Sequence, residues 1–246
     1  MINDGCMEGV DEVYGLHNFP MYGEKTKIQV ADREMMAHMN KILIDINGKG
    51  GHGSCPERCL NPVPIAAEIY LELYKQLGEI QKEYPNVRFS FPVLRGGEAC
   101  NVIVDKCAIQ GTFRTFSKES EEKMLDVLKT TLEEITKKHN TTYDLTLLVG
   151  GEGAVINTPE CAQFIRKAAK EHYGDEKVDH DKVPVYASED FADFLVHAPG
   201  CFFFAVINNL PSHVTLHTSS YDFDDSIIEE LSHFWYKIVK DRCEMF

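Results

Sequence analysis

The sequence is short of positive charge. Lysine and arginine number 25 against 39 acids, a formal net charge of −14 at pH 7. A nucleic-acid groove or an anionic membrane surface needs the opposite sign, so neither is an expected partner. Long apolar runs are also lacking. The strongest, Pro199 to Leu210, falls short of the roughly 20 residues that span a bilayer and contains Asn208 and Asn209, so it reads as a buried strand. Met1 to Gly9 carries Asp4 and Glu8 and no apolar stretch, so no leader peptide is expected there. The eight cysteines (Cys6, Cys55, Cys59, Cys100, Cys107, Cys161, Cys201 and Cys243) include no CxxC pair. A chain this long builds a core without staples, so free thiols in a reducing compartment, and hence a cytoplasmic location, are expected. There is no internal repeat and no low-complexity tract.

The sequence is 43% hydrophobic and 26% charged over 246 residues, enough for one large domain or two small ones. Asp11 to Leu16 reads as a short strand running into His17-Asn18-Phe19-Pro20, and Met21 to Asn40 as an irregular connector. A clear rhythm follows. Lys41 to Asn47 alternates as a strand does, and Gly48 to Gly53 is a glycine-rich loop. Pro62 to Lys82 places Ile65, Ile69, Leu73 and Leu77 at helical spacing. Val87 to Leu94 and Asn101 to Phe116 read as strands, Ser117 to His139 as an amphipathic helix capped near Ser117, and Thr142 to Val149 as a fourth strand. The order β-α-β-β-α-β is that of a split-βαβ, ferredoxin-like unit. After Gly150-Gly151 the pattern alternates differently. Thr158 to Tyr173 is a helix, Val183 to Tyr186 strand-like, Ser188 to Val196 a short helix, Gly200 to Ile207 a buried strand and Asp225 to Arg242 a final helix. The expected organisation is one α/β domain in two parts, residues 1–38 and 151–246, with residues 39–150 inserted as a complete small domain. The first part is too short to be half of such a domain, so its remainder is expected upstream or on another chain.

Several residues have chemistry to offer. His17 and His217 lie at strand ends or loops, where sites on α/β folds gather and where neutral imidazole binds zinc; either alone is also an ordinary core or surface histidine. Gly50-Gly51-His52-Gly53 suits a close backbone approach to a ligand or a plain strand-to-helix turn, and it lacks the features of a phosphate loop. His52, Cys55 and Cys59 offer three soft ligands without an evident fourth, so a simple loop competes with a zinc site. Asn101 and Arg114 fall on one strand-like stretch at an odd separation, which puts them on opposite faces unless Gly111 marks a bulge. Arg114 suits a carboxylate through its planar fork, or pairs with a surface acid. Ser188-Glu189-Asp190 reads as a helix cap, with support of a metal-bound histidine as the alternative. The acid-rich stretches Glu119 to Glu134 and Asp224 to Glu230 read as solvated helix faces.

Five of these stretches, in order along nearly the whole chain, resemble one family: MINDGCMEGVDEVYGLHNFP from Met1, INGKGGHGSCP from Ile46, GGEACNVIVDKCAIQGTFRTF from Gly96, SEDF from Ser188 and LHTSSYDFDD from Leu216. The family is that of the metal-dependent amidohydrolases, which includes hippurate hydrolases, N-acyl-amino-acid hydrolases and auxin-conjugate hydrolases. These are relatives of aminoacylase and the zinc carboxypeptidases. The resemblance implies an α/β catalytic domain holding two divalent metal ions (zinc, manganese or cobalt) and an inserted lid that forms a homodimer. It implies that His17 and His217 are metal ligands, that His52 polarises the scissile carbonyl in the partner subunit's site, and that Asn101 and Arg114 hold the substrate carboxylate. The implied substrate is a small N-acyl amino acid or related peptide.

The departures from the family pattern matter as much. In the family a Cys-Gly-His-Asp-x-His segment and a Glu-Glu pair, which supply further metal ligands and the general base, precede the stretch that Met1 to Pro20 resembles, and this sequence holds neither ahead of that stretch. The expectation is therefore an N-terminally truncated member whose isolated chain is inactive or very weak. Glu57 stands where relatives often have histidine and Asn61 where they often have aspartate, which bears on substrate preference. The alternative is a non-catalytic, dimerising relative. A bare ferredoxin-like binding module would leave both flanks unexplained.

Overall fold

The computed structural model describes residues 1–21, 25–208, 210–211, 213–223 and 225–245. Asn209 and Asp224, named above within a strand end and an acidic stretch, lie outside that set. In chain order the strands and α-helices are β1 (Val13–Pro20), β2 (Ile28–Gln29), β3 (Glu34–Met36), β4 (His38–Asn47), β5 (Gly51–His52), α1 (Pro62–Glu83), β6 (Arg88–Arg95), β7 (Val102–Ile103), β8 (Lys106–Thr115), α2 (Lys118–Lys138), β9 (Tyr143–Gly150), β10 (Val155–Ile156), α3 (Pro159–Tyr173), β11 (Val178–Asp179), α4 (Phe191–Leu195), β12 (Gly200–Ile207) and α5 (Ser226–Cys243). They form two compact units. One holds Met1–Met36, Val155–Val185 and the chain from Asp190 onward; the other holds Ala37–Ala154 with Tyr186–Glu189.

The second unit has the split-βαβ arrangement that the sequence suggests. Its sheet runs β6-β8-β4-β9, antiparallel throughout. Alternation in β4 sends Ile42, Ile44 and Ile46 to one face, where they meet Ile65, Ile69, Leu73 and Leu77 of α1 and Met124, Leu128 and Leu132 of α2. The other face carries the intervening residues, as expected of a half-solvated antiparallel sheet. Asn61 caps α1 by accepting from the Val63 N–H at 3.1 Å, with Pro62 in the first turn. Ser117 caps α2 by accepting from the Ser120 N–H at 3.3 Å.

Several details differ from the sequence reading. The expected strand over 101–116 is two pieces, because Asp105 turns toward the glycine loop: its carboxylate accepts from Gly50 N–H at 2.8 Å and its carbonyl from Gly48 N–H at 2.7 Å. Gly111 is not bulged in β8. The bulge is across from it in β6, where the register shifts between Ser90 and Val93 and accommodates Pro92. A Cβ at Gly111 would lie 2.3 Å from the Ser90 oxygen and 2.4 Å from the Phe91 ring, so only glycine lets the bulged strand close. The connector over 21–40 contains β2, β3 and the first residues of β4. These last escape the alternation rule because the buried His38 and Asn40 are polar, held by Glu121: His38 Nδ1 is 2.9 Å from one carboxylate oxygen, and Asn40 Nδ2 donates to the other at 2.7 Å.

The first unit is built on β1-β12-β2-β11, with β1 parallel to β12, β12 antiparallel to β2 and β2 parallel to β11. All eight residues of β12 are buried, as a central strand covered on both faces requires. Cys201 and Phe203 meet α3 and α5 through Ile165, Ala169, Phe234 and Ile238. Phe202, Phe204 and Val206 pack with Met35, Met36, Val155 and Ala192. Val183 to Tyr186 is not a strand; Val185 forms only an isolated bridge to Met36. Buried Asn157 fastens β12, accepting from Phe202 N–H at 2.7 Å and donating to the carbonyls of Phe202 at 3.0 Å and Ala31 at 2.9 Å.

Candidate active site

His17 lies in the second half of β1, opposite Phe204 of the parallel strand β12. Its Nδ1 is 2.6 Å from the carbonyl oxygen of Asn18. A carbonyl only accepts, so Nδ1 carries the proton and Nε2 keeps its lone pair. That is the tautomer a metal-binding imidazole needs, fixed by the backbone bond that usually accompanies such ligands. His217 lies ten residues beyond the end of β12 and is exposed. Its φ is +63°, a left-handed backbone that costs energy for a non-glycine residue and that histidine tolerates better than most. The turn is tied by Thr218 Oγ1 donating to the Thr215 carbonyl at 2.8 Å. Because β1 and β12 run parallel, their C-terminal ends share one sheet edge, the edge at which α/β folds place ligands.

The two histidines suit a divalent metal in donor type. They supply two ligands, where zinc takes about four. Among the described residues, the group bringing three ligating side chains within 4.8 Å is Asp179, His180 and Asp181, a different place.

His52 has the opposite tautomer. It sits on β5, paired with Val102 of β7. Its Nδ1 accepts from the Ser54 N–H at 3.1 Å and faces Ser54 Oγ at 2.7 Å. Nε2 therefore carries the hydrogen, and as the ring is exposed it offers a donor outward, as an oxyanion needs. Asn101 is beside it: the Asn101 carbonyl accepts from Gly53 N–H at 2.8 Å. Cys55 and Cys59 are free, and Cys59 Sγ lies 3.5 Å from the Cys55 carbonyl in the short helical turn that follows.

Arg114 is elsewhere. It is on the face of β8 opposite the core residue Phe113, eight residues from the strand end nearest Asn101. At about 3.4 Å per residue this is on the order of 25 Å from His52 and Asn101 along the sheet. One copy of the split-βαβ unit therefore does not bring the three residues to one point. Arg114 is half-buried and, among the described residues, meets no carboxylate; burial alone pulls its pKa below the ordinary arginine value. Asp190 occupies the N-cap position of α4 but makes no side-chain capping bond, so the cap expected from Ser188-Glu189-Asp190 does not form through that aspartate.

The fold is an α/β unit interrupted by a split-βαβ domain. Residues 38–144 match the family model described as the peptidase dimerisation domain. The chain is 28% identical to the hippurate hydrolase of Campylobacter jejuni, over 97% of this chain and 61% of that one. It is also 28% identical to the N-acetyl-L-cysteine deacetylase of Bacillus subtilis, over 98% and 56%. Among solved structures, a dinuclear metal-binding peptidase of the M20 family from Bacillus subtilis superposes with a TM-score of 0.74 at 22% identity, covering 96% of this chain and 58% of that one. Residues 38–144 thus carry the peptidase dimerisation domain, and the chain as a whole is similar to amide-bond hydrolases and carboxypeptidases. It spans between half and two thirds of the length of these three proteins.

Proposed function

We propose that the protein hydrolyses the amide bond of N-acyl amino acids with the help of two divalent metal ions and works as a homodimer through the inserted unit. The observation that carries the proposal is the 2.6 Å approach of His17 Nδ1 to the Asn18 carbonyl, which in the neutral ring leaves Nε2 to bind a metal at the C-terminal end of a parallel strand pair. The relatives' activities on hippurate and N-acetyl-cysteine, and the dinuclear metal site of the Bacillus peptidase, support the same reading. Of zinc, manganese and cobalt, zinc suits imidazole ligands best, whereas manganese favours oxygen ligands.

In this mechanism His17 and His217 would hold metal, and His52 Nε2–H would donate to the oxygen of the scissile carbonyl as negative charge develops there. Asn101 and Arg114 orient the substrate carboxylate. The metal ions, when bound, activate water and polarise the carbonyl. The separation of Arg114 from His52 and Asn101 supports the dimer, because one substrate then draws Arg114 from one copy and His52 with Asn101 from another. The eight free thiols support a cytoplasmic location, which belongs to the same proposal.

Metal titration tests the reading. Cobalt and zinc are expected to bind the chain, and His17→Ala to lower affinity about a hundredfold, a loss comparable to the larger effects of disturbing metal-site residues. Unchanged affinity in that variant would remove the proposed centre. Two imidazoles are too few to hold a stable pair of metals, so the 246-residue chain by itself is expected to turn over hippurate weakly or not at all. Robust hydrolysis, abolished by a chelator and by His217→Ala, would overturn that second expectation. A chain that sediments as a dimer and binds no metal would instead favour a non-catalytic relative.

A further inference from the structure

Arg114 has a neighbour that the motifs do not mention. Arg88 of β6 stands directly opposite it in the β6–β8 pairing. Phe89 and Phe113, the next residues along each strand, pack into the core, so both arginines are on the open face of the sheet. Directly opposed residues on one face have Cβ atoms about 4.5–5.5 Å apart, and like charges there repel. The repulsion is not relieved by acids. Although the chain has 39 of them, neither guanidinium meets a carboxylate among the described residues. Arg88 is instead held by the protein backbone and an aromatic ring: its Nη1 donates to the carbonyls of Pro85 at 2.6 Å and Val87 at 2.7 Å, and its guanidinium lies 4.4 Å from the centre of the Tyr186 ring. Tyr186 is in turn packed edge-on against Phe116 at 5.6 Å. Two arginines paired across adjacent strands, Arg114 half-buried and neither meeting a carboxylate among the described residues, suit an anion.

We propose that Arg88 and Arg114 together form a dicarboxylate site, in which Arg114 takes the α-carboxylate of the substrate and Arg88 a second carboxylate. On the hydrolase reading above, on which the naming of the substrate rests, this selects N-acyl amino acids with an acidic side chain over neutral ones. Arg88 is then a specificity-determining residue. It is not catalytic, since nothing requires it to touch the scissile bond.

The test is a binding comparison that needs neither metal nor turnover. Glutarate and butyrate are titrated onto the full chain, and the arginine Nε–H resonances are followed. Glutarate is expected to bind about tenfold tighter than butyrate, the margin one charge-assisted contact supplies. Arg88→Ala should erase that margin and leave butyrate affinity in place. Arg88→Lys keeps the charge and loses the fork, and should erase most of it, which covers the case in which the alanine variant folds poorly. Arg114→Ala should weaken both ligands, and Lys129→Ala, on the exposed face of α2, neither. Equal affinity for the two ligands, binding of neither, or an unchanged margin in a folded Arg88 variant would overturn the proposal. Failure of the hydrolase reading would appear in the metal titration and leave this comparison intact.

Discussion

Phe203→Ala should destabilise the β1–β12 unit by about 3–5 kcal/mol, the range for emptying an aromatic site in a well-packed core. Phe203 is 0% exposed. It lies on the central strand of the sheet, with the rings of Phe234 at 5.8 Å and Trp235 at 5.7 Å. Ile28, Cys161, Ile165 and Ile238 complete the cluster. The strand is held on both edges by hydrogen bonds to β1 and β2, so the backbone cannot sink into the space the ring leaves. A thermal melt should fall by on the order of 10 °C for a chain of this size. Hydrogen exchange should localise the effect. Amides of β12, α3 and α5 should lose protection while those of β4 and β8 keep theirs, because the core of Ile42, Ile69 and Phe113 shares no residue with that of Phe203. A loss below about 1 kcal/mol would mean that the neighbours collapse onto the site, and that β12 is not the rigid centre it is described as.

Phe203 is recognisable from sequence because Gly200 to Ile207 is an unbroken apolar run of strand length, and α1, α2, β4 and β9 are recognisable because their periods of 3.6 and 2 persist over many residues. The same logic fails for β2, β3, β10 and β11. Two or three residues hold no period: β2 is set by its pairing with the longer β12 and carries β11 in turn, while β3 and β10 pair with each other. His38 and Asn40 mislead for a different reason. Their burial depends on Glu121, about eighty residues away, satisfying their polar atoms. In the candidate site, the motifs are enough to name His17, His52, Asn101, Arg114 and His217. They do not contain the opposed tautomers of His17 and His52, which are set by the Asn18 carbonyl and the Ser54 amide, nor the distance between Arg114 and Asn101. Arg88 has no local signal at all. It is one exposed arginine on an edge strand until the register of β6 against β8 places it beside Arg114.

Glu12 and Arg242 are 230 residues apart and equally silent in the sequence, yet Arg242→Ala should cost about 3 kcal/mol, because it strands a carboxylate that is mostly out of water. Arg242 Nε donates to Glu12 Oε2 at 2.7 Å, and Nη2 closes a second bond to Oε1. Tyr14 Oη donates to the same carboxylate at 2.6 Å, and the guanidinium lies 5.0 Å from the Phe164 ring centre. The hydrogen bonds from Arg242 hold the Glu12 pKa below the ordinary glutamate value, while burial and the bond to Glu12 push that of Tyr14 well above the ordinary tyrosine value. Each shift has a definite sign in stability. Glu12 is easier to ionise in the folded protein, so its contribution is complete above the unfolded pKa of about 4.3 and is lost as pH falls through the lower folded value. Tyr14 is harder to ionise when folded, so its contribution is complete below about pH 10 and is lost at higher pH. Wild-type melts should therefore fall away more steeply below about pH 4 than those of Glu12→Gln, which has no carboxylate to protonate. In Arg242→Ala the acid-side slope should flatten, because burial then raises the Glu12 pKa where Arg242 had lowered it. Replacing both partners, as Glu12→Gln with Arg242→Met, should cost less than Arg242→Ala alone, since no unpaired charge is left behind. If the single variant and the double variant lose the same stability, with the same pH slope as wild type, the pair is a surface contact and does not fasten α5 to the start of β1.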